Sequence, residues 1–445
     1  MAIRVLKSKL SLTQKQQIKH DLLIIEKNAF DKTTIEFEFY IVEPEYIRLP
    51  LFYGSQLLES YINDSRTFRP QNKDLVFTGV PRDYQVPVIE KAKKYLDETG
   101  TVLLNLFTSA GKTFCVCNIA ITKIKLLTLV IFNIDILIES WVSTFKNFCP
   151  GVKVWVVGTK AQETTRKKKG YPYNATPENC DVIICMNRRV DKIAPHILDQ
   201  VGCVIIDEVH KLCTESTVSA WLATQPKYFI CLSASPIRPD GLDKMMYAVI
   251  GENEIYLGNT KEFTATRIIT KFSPPMLKNY TTNKLDWGAI VKWLAVKEER
   301  NKVIFDLIMS NLDKKICLLS KLVDHCTVIY NMLIERQVKT ALLVRNAKEY
   351  EDSNVLIGTF QKIGTGFDEL YTAKNFQGQP INLLILAFTV KSKTLTKQSI
   401  GRMLRSMAPH LIVITDKNRV INKHFELIKK FCLTNGCTKF DQIYV

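Results

Sequence analysis

Residues 102–114 read VLLNLFTSAGKTF. The first six, VLLNLF, are apolar apart from Asn105 and suit a strand buried inside a sheet. Thr108-Ser109-Ala110-Gly111-Lys112-Thr113 follows, and then a stretch with helical spacing. A strand that turns through Gly-Lys-Thr into a helix makes a cradle for phosphate, because backbone N–H groups and the helix N-terminus face the anion. Lys112 would reach the β- and γ-phosphates of ATP, and the Thr113 hydroxyl would ligate Mg2+. The full phosphate-loop pattern has a further glycine where this chain has Leu106. Taken alone, an ordinary strand-to-helix turn reads the same way.

Outward from that loop, other short apolar runs repeat the strand signal. TLVIF (128–132), VKVWVV (152–157), DVIIC (181–185), CVIID (203–207) and YFICLS (228–233) alternate with amphipathic stretches. Runs of this kind belong to parallel sheets covered by helices on both faces. A second series follows a polar stretch containing Pro274-Pro275: KICLLS (315–320), KTALLV (339–344), VLIGT (355–359), INLLILAF (381–388) and LIVIT (411–415). The expected fold class is therefore α/β, with two parallel-sheet domains in tandem. The first 77 residues read differently, with an alternating TIEFEFYIV, and are expected to form a small α+β module. The expected boundaries are 1–77 for this module, 78–258 for the first sheet domain, 259–300 for a linker and 301–445 for the second.

Strand CVIID runs into Asp207-Glu208-Val209-His210. An aspartate at the carboxyl end of an apolar strand suits a Mg2+ site beside bound phosphates. Glu208 is then placed to polarise an attacking water. A lone Asp-Glu-x-His could equally be a solvated helix start. Paired with the loop at Lys112, it points to nucleotide hydrolysis.

With both motifs in place, the sequence resembles the superfamily 2 helicases, and the resemblance continues in order along the chain. Arg82-Asp83-Tyr84-Gln85 is similar to the segment that reads adenine, with Gln85 able to make paired amide hydrogen bonds to a purine edge. Ser233-Ala234-Ser235 resembles the motif that couples the ATP site to the nucleic-acid path. Thr359 through Gly364-Thr365-Gly366-Phe367-Asp368 resembles motif V, which implies nucleotide-binding roles for Gly366 and Asp368. Residues 398–405, QSIGRMLR, fit QxxGRxxR at every defined position. That pattern implies Gln398 at the nucleotide and Arg402 and Arg405 as arginine fingers on the γ-phosphate. Each piece alone has an ordinary reading as a turn, a strand end or a solvated basic helix face. In this fixed order they leave coincidence negligible, and two RecA-like domains are implied.

The narrower likeness lies in residues 232–251, LSASPIRPDGLDKMMYAVIG, and in the Gly-Thr-Gly-Phe-Asp of motif V. These resemble the DExH helicases of large cytoplasmic DNA viruses related to the poxvirus transcript-release helicase. The resemblance implies a DNA-dependent ATPase or helicase serving viral transcription, with ATP and Mg2+ as cofactors. Its implied partners are single-stranded or duplex DNA without sequence preference, with RNA and a viral RNA polymerase as further candidates. Host cytoplasm or virion is the implied location. Two other readings stay open: a DExH RNA helicase or RNA-stimulated ATPase, and a non-hydrolysing nucleic-acid-binding subunit. Two departures from the pattern matter. Ser109 stands where relatives carry glycine, and a positive φ there would strain the loop by about 1 kcal/mol. Motif V also carries one residue more between Thr359 and Gly366 than many relatives, which leaves its register open.

Composition agrees with these readings. Of 445 residues, 61 are Lys or Arg and 44 Asp or Glu, a formal charge of +17 that favours a polyanionic partner. At 46% hydrophobic and 24% charged, the chain is neither disordered nor collagen-like, and no membrane partner is expected. The longest apolar stretch, 126–138, is too short to span a bilayer and is broken by Asn133 and Asp135. The opening MAIRVLKSKL has no apolar signal core, so the 12 cysteines are expected as thiols in a reducing compartment. Cys432 and Cys437 lack the partners of a zinc set. Arg166-Lys167-Lys168-Lys169 reads as a phosphate contact, a localisation signal or a solvated loop. Trp141 reads as a motif Ia residue or, better, as core, and His196 and His325 as structural.

Overall fold

Nearly every apolar run described above becomes a strand, and the strands sort into two parallel sheets. The computed structural model describes residues 2–27, 34–57, 67–135, 137–158, 175–238, 240–259, 261–279, 281, 283, 285–345, 347, 349–364, 367 and 369–445. The chain divides into two compact units, residues 1–106 with 110–257, and residues 258–445 with 107–109.

The N-terminal residues contribute β1 (Ala2–Leu6), β2 (Leu23–Lys27), β3 (Thr34–Glu38), β4 (Ile41–Val42) and β5 (Tyr46–Pro50). They form a three-stranded antiparallel sheet, β1-β5-β4, and a separate β2-β3 pair. Helix Leu12–Asp21 starts at a capping box in which the Ser11 hydroxyl accepts from the Gln14 N–H. Among the described residues, this α+β module shares its core with the unit that follows. Leu22, Ile24, Phe39 and Leu49 join one apolar cluster with Trp221, Leu242 and Met245 of the first sheet domain. Phe39 meets Trp221 edge-on at 6.0 Å, Ala2 N–H donates to the Thr224 carbonyl at 2.9 Å, and Arg48 donates to the Leu222 carbonyl at 3.2 Å.

The first seven-stranded sheet comprises β6 (Thr101–Leu106), β7 (Thr128–Phe132), β8 (Val154–Val156), β9 (Val182–Met186), β10 (Cys203–Ile206), β11 (Tyr228–Ser233) and β12 (Glu254–Leu257). Their order is β12-β6-β11-β10-β7-β9-β8, and all pairings are parallel. Residues of β6, β7, β9 and β10 are buried throughout, as a sheet covered on both faces requires. Helix Val86–Thr99 leads into β6, with Pro87 in its first turn and Gly100 at φ 75° ending it.

The second sheet comprises β13 (Phe263–Ile269), β14 (Ile316–Ser320), β15 (Thr340–Leu343), β17 (Val355–Thr359), β19 (Leu383–Leu386), β20 (His410–Thr415) and β21 (Cys437–Tyr444). A short ribbon, β16 (Tyr350–Glu351) with β18 (Ala373–Lys374), lies outside it. The sheet order is β15-β17-β14-β19-β20-β13-β21, again all parallel. Residues 259–300, expected as a linker, supply strand β13 and helix Trp287–Ala295, whose Ile290, Val291 and Leu294 are buried in this unit's core. Thr264, Thr266 and Arg267 of β13 are among the polar residues that made the segment read as a linker; most of the others lie outside the strand. These are two tandem RecA-like α/β units carrying a small N-terminal α+β module. No helix among the described residues is long and apolar enough to cross a membrane.

Candidate nucleotide-binding and motor site

Three adjacent parallel strands, β6, β11 and β10, end at one edge of the first sheet. The phosphate-loop sequence follows β6, Ser233 closes β11, and Asp207 follows β10. In open α/β sheets this carboxyl edge is where ligands bind. The register pairs Asn105 with Ser233 and Ile206 with Cys231.

The loop has two left-handed residues, Ser109 at φ 74° and Gly111 at φ 81°. Gly111 caps helix Lys112–Ile119, and a Cβ there would collide with Gln85 Nε2. Gln85 is buried and braces the loop: its Oε1 accepts from the Arg82 N–H at 2.9 Å, and its Nε2 donates to the Ala110 carbonyl at 2.9 Å. These bonds use one acceptor site and one N–H of the amide, which leaves a second N–H and a second lone pair for a purine edge. Lys112 Nζ lies 3.4 Å from the Leu106 carbonyl, Thr108 is buried, and Thr113 is half-buried in the first helical turn. Ser109 meets the condition for loop strain, since an L-residue in the left-handed region costs about 1 kcal/mol or more. Ser109→Gly is therefore expected to raise the unfolding free energy of the chain by about 1 kcal/mol, whereas Gly111→Ala lowers it. Chemical denaturation of the two variants beside the parent measures both; a Ser109→Gly variant less stable than the parent contradicts the strain.

Asp207 is buried, and its two oxygens are held in place. Oδ2 accepts from Trp141 Nε1 at 3.0 Å, and Oδ1 accepts from the Glu208 N–H at 2.9 Å. Burial raises its pKa, the neighbouring Glu208 charge raises it further, and Lys112 opposes both. A carboxyl group in that setting gains from a divalent cation. Mg2+ binds through one or two carboxylates together with phosphate oxygens, so Asp207 and the Thr113 hydroxyl fit it. Trp141 is fully buried core and also fixes the Asp207 carboxylate.

Glu208 adopts φ 50°, a strained conformation for a non-glycine residue and one that clusters at functional sites. Its carboxylate lies 3.5 Å from His210 Nδ1. The same His210 nitrogen is 2.9 Å from Ser233 Oγ, which also accepts from the Ser235 N–H at 3.0 Å. Burial holds the His210 pKa down, against the pull of Glu208, so the imidazole is neutral near pH 7. Arg238 donates to the His210 carbonyl and makes a two-pronged bond to Asp240 at 2.9 and 2.5 Å. His210 and Arg238 thus tie the Asp-Glu-x-His turn to the Ser-Ala-Ser strand end. Sequence reasoning assigned neither residue a role; the signal was an arginine just beyond the Ser-Ala-Ser segment.

In the second unit, Gln398 and Arg402 are buried on helix Lys393–Met403, and Arg405 lies in the turn that follows. Ser392 caps this helix by accepting from the Leu395 N–H at 3.2 Å. Arg405 lies near Glu369, whose carboxyl its charge helps lower against the larger upward push of burial. Gly366 and Asp368 lie outside the described residues, as do Arg166 to Lys169. His325 is structural: it is buried between Ser320 Oγ at 2.8 Å and Asn301 Oδ1 at 3.0 Å.

Known proteins align with this arrangement. The family described as "Type III restriction enzyme, res subunit" matches residues 78–238. The 161L protein of Invertebrate iridescent virus 6, provisionally named a helicase, is 28% identical over 389 residues, covering 82% of this chain and 83% of its own. The L396 protein of Acanthamoeba polyphaga mimivirus, provisionally named an ATP-dependent RNA helicase, is 25% identical over 421 residues, covering 90% of this chain and 77% of its own. Among solved structures, S. cerevisiae Dbp5 bound to RNA and ADP BeF3 shares the fold with a TM-score of 0.56 at 11% identity, covering 80% of this chain and 89% of that one. Viral helicase relatives and the tandem RecA-like fold together indicate an ATP-dependent helicase of superfamily 2.

Proposed function

We propose that this chain is an ATP-driven motor that moves along or unwinds DNA during transcription of a large DNA virus, in the manner of a transcript-release helicase. The observation that carries the motor reading is the convergence of Lys112, Asp207–Glu208 and the His210–Ser233 link on three neighbouring strand ends. The relatives from large DNA viruses support the viral setting. ATP is the substrate. Lys112 and the loop N–H groups hold its phosphates, and Glu208 orients water and takes up its proton. Mg2+, held by Asp207 and Thr113, would offset charge on the phosphates. Gln85 is placed beside the loop, and Gln398, Arg402 and Arg405 keep the roles that the resemblance implies for them, as do Gly366 and Asp368. The His210–Ser233 contact supplies a physical link by which a change at Glu208 reaches β11. Grip on the nucleic acid is expected to be mainly through phosphates, hence sequence-independent and salt-sensitive.

A second reading, an RNA helicase, is favoured by the naming of the mimivirus relative. A non-hydrolysing subunit fits poorly, because the Asp207–Glu208 pair and both arginines are present. Strand displacement on tailed DNA and tailed RNA duplexes separates the readings. The expected result is ATP-dependent displacement on DNA. Displacement on RNA alone would transfer the proposal to RNA, and none on either substrate would overturn the helicase.

A further inference from the structure

The outer edges of the two large sheets are unequal. Strands β8, β12 and β15 close three of them with three, four and four residues, whereas β21 closes the fourth with eight. Short edge strands resist pairing with another chain, and a long exposed one offers a row of unpaired N–H and C=O groups. Every residue of β21 after Phe440 is exposed, Ile443 at 49% and Tyr444 at 77%. Among the described residues, only β13 pairs with this strand. The Val445 N–H donates inward to the Ile269 carbonyl at 3.0 Å, and the register from Thr264–Lys439 to Ile269–Tyr444 is unbroken. Backbone groups alternate in direction along a strand, so those of Phe440, Gln442 and Tyr444 point outward, away from β13.

The side chains carry a charge pattern. Lys439 and Asp441 share one face, where they form an ion pair at 2.8 Å. His410 lies near both on the neighbouring strand, bonded to Thr264 Oγ1 at 2.6 Å and Thr266 Oγ1 at 3.2 Å. Lys314 is the other charge near His410, and it donates to Asn311 Oδ1 at 2.7 Å. On the opposite face Phe440 meets Phe425 edge-on at 5.7 Å, and Arg267 lies over the Phe425 ring with Glu426 near it.

Lys439-Phe440-Asp441 is self-complementary when set against its own reverse. With Phe440 opposite Phe440 of a second copy, those two residues exchange N–H···O=C bonds. Each Lys439 then faces Asp441 of the other copy in a non-hydrogen-bonded pair, where side chains stand closest. Centring on Lys439 or on Asp441 would put like charges face to face, and centring on Gln442 would set Asp441 against Ile443. The charges therefore select one register and oppose its neighbours.

We propose that β21 is an interface between two copies of this chain, which pair antiparallel about Phe440 and join their second sheets into one. The contact presents the same patch from both copies, so it closes at a dimer. It is independent of the nucleotide site and of the nucleic-acid reading.

Sedimentation equilibrium of the full chain tests it, at about 0.15 M salt so that charges further apart than about 8 Å are screened. The parent is expected to move from monomer mass toward twice that mass as concentration rises. Lys439→Asp and Asp441→Lys should each weaken association about 10-fold or more, because each turns two attractive cross-strand pairs into repulsive ones. The double variant carrying both changes should recover the parent's association, and the two single variants mixed together should form a heterodimer. Both side chains are exposed, so the unfolding midpoint of every variant at low concentration should match the parent. A parent that stays at monomer mass at about 0.1 mM overturns the proposal. So does a dimer that both single variants leave unchanged, which would place the contact on another surface. Single variants that weaken it without recovery in the double variant or the mixture would overturn the register and the proposal with it.

Discussion

Glu208→Gln is expected to lower ATP turnover by about 10²–10⁴-fold, the range associated with losing a positioned general base. ATP binding should change little. Glutamine keeps the size and backbone of glutamate, so the N–H of residue 208 can still donate to Asp207 Oδ1, which it does at 2.9 Å. The left-handed backbone at this residue, φ 50°, is equally available to glutamine. What disappears is the charge that faces His210 at 3.5 Å and the site that would accept a proton from water. Initial-rate ATPase assays together with fluorescent-nucleotide binding distinguish the two effects. Turnover within a few-fold of the parent would remove Glu208 from the chemistry, and a parallel loss of binding would make its role structural.

Asp416→Ala is expected to destabilise the second unit by about 3–5 kcal/mol, the usual cost of breaking a buried ion pair from one side. Asp416 accepts from Arg300 Nε at 2.8 Å, Arg300 Nη2 at 3.0 Å and the Thr270 hydroxyl at 2.7 Å. Arg300 is 0% exposed and Asp416 2%, so water cannot replace the lost carboxylate. Arg300 also donates to the Ala387 carbonyl at 2.7 Å and lies 4.7 Å over the Phe388 ring. One removal therefore leaves a buried charge and loosens the ends of β19 and β20 together. Replacing both partners with apolar residues should cost much less than Asp416→Ala alone. Denaturant unfolding of the single and double variants provides the check; equal losses in both would show that packing rather than stranded charge sets the cost.

The continuous apolar strands were legible because parallel sheets bury both faces, and runs such as TLVIF can hardly be anything else. β13, with Thr264, Thr266 and Arg267 among its residues, and β21, an edge strand that is mostly exposed, lack that signature. Their pairing is non-local: β13 joins β20 and β21, each more than a hundred residues away. The N-terminal module was legible as α+β but not as sharing a core, because Phe39 meeting Trp221 has no local trace. At the site, Lys112, Asp207 and Glu208 could be read from strand ends alone. The support from Gln85 to Ala110 and the tie from His210 to Ser233 could not, since each joins residues distant in sequence.

The most direct test of the motor is steady-state ATP hydrolysis by the parent chain and Glu208→Gln, each alone and with oligo-dT, duplex DNA and oligo-U. The account predicts hydrolysis by the parent that DNA stimulates and that the variant lacks under every condition. A parent no faster than Glu208→Gln with any nucleic acid would contradict it.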